Sequence, residues 1–423
     1  MRLKSIFTLK GKGIIVEHWK CNLILLVLGQ FVVRVAQTFV FPYLPFFIAE
    51  LGVNNPKQLA FWTGIIASAN FLGQSAFSPL WGSLADHYGK KIMLIRSALA
   101  VGFFTIAISF VSTPLQLLII RFLMGCFSGY NAAGIAFIVS ETPKNRLGYA
   151  LGWLQTGQQA GLLIGPAIGG VLAHLWGFRG SCLISGLIVL LICVPLCYTK
   201  EIQKNSGPKA VKGKTKELFS LLRVMENKNI LLVLFFIIMI TQFSTKSIEP
   251  QLASYIDKIY QGSNLELMVA GVFMVTAISH VVLAPVLGRY GDKNNYYPVL
   301  FWCLIGSGLT TLGQIFVKNI WQLLVLRFIL GGFLAGALPS ANALIGTYSQ
   351  NRQGMLFGLV ASVNALGNFV GPIFGGGIIG FFDLDRGFLT IFTTTGILLL
   401  VGSVFVMVKS GQLKDARSKN IMP

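Results

Sequence analysis

Uninterrupted apolar runs of about 18 residues or more recur along this chain, each long enough to cross the hydrocarbon core of a bilayer as a helix. Twelve are delimited in the 423 residues: 22–48, 60–83, 92–111, 115–140, 149–173, 180–199, 229–256, 267–288, 297–316, 321–345, 355–380 and 387–408. With no water in the bilayer core, a spanning segment must satisfy its own backbone, as a helix or within a closed barrel. Barrel strands alternate polar and apolar residues over about ten positions, and these runs do not alternate. Composition agrees: 54% of the residues are hydrophobic and 11% charged, against roughly 25% charged in a soluble domain. The expected fold class is an all-α membrane protein with twelve transmembrane helices. The six cysteines (21, 126, 182, 193, 197 and 303) fall in or beside apolar runs, and no pair has zinc-ligand spacing in a polar setting. Neither a disulfide, a metal site nor a cofactor is expected.

The net charge of +20 would suit a nucleic-acid partner, but no stretch combines basic residues with a foldable soluble domain. Its distribution points to a bilayer. With the first run starting in the cytoplasm, one side of the membrane receives residues 1–21, the turns near 84–96, 141–148, 200–228, 289–296 and 346–354, and the tail from Lys409. That side holds 25 of the 34 lysines and arginines. The asymmetry follows the positive-inside rule and places both termini in the cytoplasm. The basic start, "MRLKSIFTLKGKGIIVEHWKCNL", lacks a small-residue cleavage site after a short apolar core and reads as a cytoplasmic lead-in rather than a signal peptide.

Landmarks recur at an offset of 206 residues. The pairs are Asp86 and Asp292, Pro79 and Pro285, Gln116 and Gln322, Arg121 and Arg327, Asn145-Arg146 and Asn351-Arg352, and Pro166 and Pro372. The chain therefore divides into a cytoplasmic segment 1–21, a six-helix bundle 22–199, a basic cytoplasmic linker 200–228, a second bundle 229–408 and a cytoplasmic tail 409–423. An even number of spans per unit makes the two bundles parallel repeats about an axis along the membrane normal.

Four motifs carry a family resemblance over essentially the whole chain. "GSLADHYGKK" (Gly82 to Lys91), "RFLMGCFSG" from Arg121, "GLLIGPAIGG" (Gly161 to Gly170) and "FPYLPFF" with Pro42 and Pro45 together resemble the major facilitator superfamily. Within it the chain is most similar to the twelve-helix drug:proton antiporters, in the bacterial multidrug-efflux branch that includes fosmidomycin and deoxycholate resistance proteins. The resemblance implies two six-helix bundles around a central cavity, alternating access, and export in exchange for protons. The direction rests on the likeness at "GLLIGPAIGG". An enzyme is not expected, since no nucleophile–base set appears, and a phosphate loop is excluded because Lys91 stands where G-x-x-x-x-G-K-[ST] needs a hydroxyl.

The same resemblance gives roles to the loop and to the fifth run. Gly82, Asp86, Gly89, Lys90 and Lys91, with Gly288 and Asp292 from the degenerate copy "GRYGDKNN", form an expected latch between the bundles; a plain topology anchor explains the lysines but not Asp86. Gly161, Gly165, Pro166, Gly169 and Gly170 form a small-residue ladder with a proline inside it. That pattern suits either ordinary close helix packing or a bent helix at a rocking interface.

Charges inside spans cost several kcal/mol and are usually functional or paired. Arg121 is expected in proton coupling by the resemblance, with snorkelling as its bland alternative, and its repeat mate Arg327 has the same alternative. Glu249 is the one carboxylate well inside a run, since Asp86, Asp292 and Glu141 lie at run ends, which makes it the expected proton carrier. Lys246 shares a helix face with it at i, i+3, so a self-neutralised pair is equally open. Arg34 lies in the middle of the first run with no repeat mate. Arg34 and Lys246 are expected to bind a substrate anion, with the amides of Gln155, Gln158, Gln159, Asn131 and Gln242 lining the cavity. His280 is a lone histidine, more often a satisfied core group than a titrating one.

Two substrate classes follow. Family likeness indicates a broad multidrug exporter, and the excess of cations over Glu249 indicates export of an organic anion such as a carboxylate siderophore. A proton-coupled uptake symporter is the alternative direction. The expected setting is the bacterial inner membrane, with a small-molecule substrate, protons and the lipid bilayer as partners, no nucleic acid, and a functional monomer.

Overall fold

The computed structural model describes residues 13–143, 146–201, 228–260, 262, 264–347 and 353–409. Among them the regular structure is helical and no strand occurs. In chain order the membrane-length helices are α1 (His18–Glu50), α2 (Pro56–Tyr88), α3 (Lys90–Ile108), α4 (Pro114–Glu141), α5 (147–176), α6 (178–197), α7 (Asn229–Ile259), α8 (Leu265–Lys293), α9 (Tyr296–Phe316), α10 (Ile320–Thr347), α11 (Gly358–Phe381) and α12 (Leu384–Val408). The continuous stretch Leu147–Cys197 counts as two because 51 residues would reach far past a core about 30 Å thick. It turns at Gly177, whose φ of +67° and ψ of 173° no helix accommodates. Each apolar run of the sequence falls on one of these helices.

Three helices break within their span. In α1 the ladder is interrupted between Thr38 and Val40, just before Pro42 and Pro45. In α7, Pro250 coincides with a 3₁₀ turn at Glu249–Gln251. In α4 the break is at Ser128 and Gly129, the latter at φ +135°. Carbonyls released there need donors from elsewhere, because no water reaches them in lipid. Trp81 Nε1 donates to Cys126 O (2.6 Å) and Arg96 Nη1 to Phe127 O (3.0 Å). The Arg96 guanidinium also lies 3.5 Å from the Trp81 ring centroid, so the two donors brace each other.

Helix pairs inside each bundle meet backbone to backbone. On α5, a methyl group added at Gly157, Gly161, Gly165 or Gly169 would sit within 3 Å of Val27 O, Phe31 O, Thr38 Oγ1 or Phe39 Cβ of α1. On α11, Gly367, Gly371 and Gly375 stand in the same relation to Met239 O, Phe243 O and Ser247 O of α7. These three are the residues 206 positions beyond Gly161, Gly165 and Gly169, so both halves carry the pattern G-x-x-x-G-P-x-x-G-G. Lipid tails give helices no hydrophobic reason to associate, and small residues that let backbones touch supply the packing instead.

The two bundles share one core, and each keeps a large cluster of its own. Trp19, Leu26, Leu94, Phe137, Leu154 and Val189 cluster within the first bundle, and Leu231, Leu234, Leu300, Leu344 and Val406 within the second. Both groups lie toward the end from which α6 runs into the linker, here termed the linker end. At the opposite, far end, Phe39, Phe47 and Ile66 of the first bundle join Ile248, Leu252, Val269 and Ile379 of the second in one continuous cluster. Gly161→Ala and Gly371→Ala are each expected to destabilise the protein by about 1–3 kcal/mol through overpacking. Gly152→Ala, where nothing lies within 4 Å of the added carbon, should instead stabilise it by up to about 1 kcal/mol; thermal unfolding in detergent checks all three.

Candidate substrate and coupling site

Two seams close the far end. In the first, α2 meets α11: Gly64 and Gly376 pack backbone on backbone, Ser68 Oγ donates to Phe369 O (2.8 Å), and Lys57 pairs with Asp383 at 3.2 Å. Nearby, Gln251 Nε2 of α7 donates to Ala60 O (2.9 Å). In the second, α5 meets α8 through Gly170 against Ala270 and Glu266. The Tyr43 hydroxyl of α1 spans this seam, bonding to Pro166 O at 3.3 Å and to Glu266 O at 3.4 Å. Gly170 and Gly376 are repeat mates, as are Ala270 and Gly64, so the seams are pseudosymmetric copies.

A group of charges sits against this closed end. Arg121 is 0% exposed, and its Nε, Nη1 and Nη2 have no hydrogen-bond partner among the described residues. Its guanidinium carbon lies 4.8 Å from the centroid of the Phe41 ring. Lys246, 8% exposed and in the other bundle, places its ammonium 5.8 Å from the same centroid. Lys246 also forms an ion pair and hydrogen bond with Glu249, one helical turn further on, so the i, i+3 spacing does bring the two together. Arg327, 6% exposed, lies within the field of Glu249, and its Nε and Nη2 have no hydrogen-bond partner among the described residues. Neither arginine has snorkelled to an interface. Both stay buried, where an unbalanced charge is costly.

The amides expected to line a cavity differ in their surroundings. At 100° per residue, Gln155 and Gln159 of α5 lie roughly opposite the exposed Trp153, Ile164 and Val171, and between the α1-facing glycines and Gly170. That face looks inward, away from lipid, and both glutamines are exposed on it. Gln158 and Asn131 are half-buried, and the Oε1 of the one and Oδ1 of the other have no hydrogen-bond partner among the described residues. Gln242 instead donates to Asn364 Oδ1 of α11 (2.9 Å). Arg34 is half-buried, and no hydrogen bond or ion pair engages its guanidinium among the described residues. Its Cβ and Cγ lie against Gly161, on the α5-facing stripe with Val27, Phe31 and Thr38. Arg34 and Lys246 therefore belong to different surroundings and share no described contact. His280 is half-buried on α8.

The loop motif is built into the first bundle. Lys90 N and Lys91 N, the first amides of α3, donate to Glu201 Oε1 (3.0 Å) and Oε2 (3.1 Å). This is the carboxylate that a helix N-terminus favours. Gly89, at φ +94°, has no Cβ to crowd that carboxylate. Lys91 Nζ donates to Cys197 O (2.6 Å) and Thr199 O (2.7 Å), completing the exposed carbonyls at the end of α6. The lysines thus bind within the bundle as well as facing the linker end. In the second copy, Asp292 accepts a hydrogen bond from the Tyr296 hydroxyl of the next helix, and the space around Gly288 is open. The side chains at Gly82 and Asp86 lie outside those described.

Four features of the site were not expected from the sequence: Phe41, Tyr43, Glu201 and the α11 motif with Gly376. The last had a readable signal, because G-x-x-x-G-P-x-x-G-G repeats at the 206-residue offset already marked by Pro166 and Pro372.

Comparison with known proteins agrees with this architecture. The family model described as Major Facilitator Superfamily matches residues 26–295 and 234–420. Multidrug resistance protein MdtG of Escherichia fergusonii is 34% identical over 392 residues, covering 92% of this chain and 94% of that protein. Its counterpart from Proteus mirabilis is 34% identical over 395 residues, covering 92% and 96%. Among solved structures, a bacterial homolog of the human lysosomal transporter Spinster, inward-facing and occupied, superposes with a TM-score of 0.77 at 13% identity, covering 94% of this chain and 98% of that one. The human organic anion transporter MFSD10 gives 0.66 at 17% identity, covering 92% and 99%. With two pseudosymmetric bundles and multidrug-resistance relatives matched nearly end to end, this chain belongs to the major facilitator superfamily and is a multi-pass membrane transporter, not an enzyme.

Proposed function

We propose that the protein exports small organic molecules across the bacterial inner membrane by alternating access, in exchange for protons, as a multidrug efflux pump. The observation that supports the coupling half of this reading is Glu249, a half-buried carboxylate near the bundle seam, paired with Lys246 and near Arg327. Likeness to the MdtG proteins supports efflux and a broad substrate range. The basic residues at the linker end make that side cytoplasmic, so a far end closed by both seams corresponds to an inward-facing transporter. Substrate enters the space lined by Gln155, Gln158, Gln159 and Asn131, and protonation of Glu249 weakens its hold on Lys246. Gly82, Asp86, Gly89, Lys90, Lys91, Gly288 and Asp292 take the part of a linker-end latch in the outward-facing state.

A preference for anionic or neutral compounds over lipophilic cations is part of the reading. Glu249 is already engaged by Lys246, while the guanidinium of Arg34 is free of described partners. An unengaged cation favours a substrate carboxylate, including that of a siderophore, over a second positive charge.

Acidified inside-out vesicles with a pH-sensitive dye test both parts. Carboxylate-bearing and neutral drugs are expected to release lumenal protons, and lipophilic cations to release fewer. Arg34→Ala should abolish the response to the anions alone. A response confined to cations would make Arg34 structural, and silence with every compound would overturn antiport in favour of uptake.

Glu249→Gln is expected to abolish proton release while retaining substrate binding, measured by fluorescence quenching. Leaving Lys246 unpaired costs up to about 3–5 kcal/mol of stability, whereas removing both charges costs less. Lys246→Met combined with Glu249→Gln should therefore be more thermostable than Glu249→Gln alone and equally inactive.

For orientation, a periplasm-active phosphatase fused after residue 409 should be inactive and a fluorescent protein fused there should fold and glow. The opposite pair of results would invert the assignment of the linker end to the cytoplasm.

A further inference from the structure

Phe41 touches charges from both bundles. It sits just after the break in α1, buried, with its ring stacked on Phe71 of α2 (centroids 5.7 Å apart, planes at 13°). The Arg121 guanidinium of its own bundle approaches the ring at 4.8 Å and the Lys246 ammonium of the other bundle at 5.8 Å. All three Arg121 nitrogens lack hydrogen-bond partners among the described residues, so the electron-rich ring offers it the compensation that no described acceptor provides. A desolvated cation–π contact is considerably stronger than an exposed one.

The two contacts differ in what happens to them when the bundles move. Phe41 and Arg121 belong to one bundle and travel together. Lys246 and Glu249 belong to the other. Opening the far end keeps Phe41 with Arg121 and separates it from Lys246. While the far end is closed, the ammonium is shared between the Glu249 carboxylate and the Phe41 ring. A proton on Glu249 leaves it to the ring. We propose that Phe41 is a positioning residue that ties closure of the far end to the Lys246–Glu249 pair. The proposal rests on the alternating-access reading above.

The test is the distance between spin labels at positions 54 and 318, in far-end loops of the two bundles. It uses the full chain in nanodiscs with the six native cysteines replaced by alanine. Phe41→Leu, which keeps an apolar side chain and removes the ring, should lower the closed-to-open ratio by about 2- to 30-fold. Phe41→Trp should keep it near the parent value. In a Lys246→Met background, Phe41→Leu should produce no further shift, because the cycle isolates the pairwise contact. A shift of equal size in that background would show that only packing was lost and would overturn the proposal. So would an unchanged ratio in Phe41→Leu when the parent shows both distances. A parent with one distance at every pH, with and without drug, would overturn alternating access itself.

Discussion

The backbone contacts of α5 on α1 and of α11 on α7 hold everything else in place. Glycine at every fourth position lets each pair approach until carbonyl oxygens meet the neighbouring helix directly. In a membrane this replaces the hydrophobic effect as the source of helix association. Because α1 is pinned along its length as far as Phe39, its second segment leaves the contact at a set angle and delivers Phe41 and Tyr43 to the seam. Because α7 is pinned through Ser247, Lys246 and Glu249 arrive opposite them. The charged cluster is therefore a consequence of two glycine ladders, neither of which contains a charged residue.

Electrostatics then decides how tightly the halves hold. Arg121, Lys246 and Arg327 bring three buried positive charges to this end, and among the described residues one of them, Lys246, has a carboxylate in contact. Continuum arguments make such an arrangement unfavourable unless the charges find partners, and the structure distributes what is available. Glu249 serves Lys246 and lies near Arg327, while Phe41 serves Arg121 and Lys246. Under the proposed coupling, neutralising Glu249 would redistribute that compensation across the seam.

Much of this was legible in the residues alone. Twelve apolar runs and the 206-residue repeat predict the helices and their halves because both depend only on local composition and spacing. The pairing of Lys246 with Glu249 was open as one of two readings because i, i+3 neighbours on a helix share a face whatever the tertiary structure. Contacts between distant helices were harder to read. The ring of Phe41 looks like ordinary apolar filling until two cations from separate bundles are seen beside it. Glu201 looks like the first acidic residue of a linker, although Asn22 also exchanges two hydrogen bonds with Lys200 and extends the bundle that far. Arg34 and Lys246, expected to bind a substrate anion, have different protein neighbours, Gly161 for the one and Glu249 for the other, a matter of rotation that no span boundary encodes.

The two seams are held by different chemistry. Between α2 and α11 lie a glycine-on-glycine contact, the Ser68 hydrogen bond and the nearby exposed ion pair of Lys57 with Asp383. Across the other, the Tyr43 hydroxyl faces a carbonyl of each bundle, Pro166 O at 3.3 Å and Glu266 O at 3.4 Å. A phenol has a single proton to donate, so the two carbonyls compete for it. Pro166 O belongs to the same bundle as Tyr43. The hydroxyl therefore keeps an acceptor whether or not Glu266 is beside it, and the bond that crosses this seam can be given up without leaving a buried donor stranded.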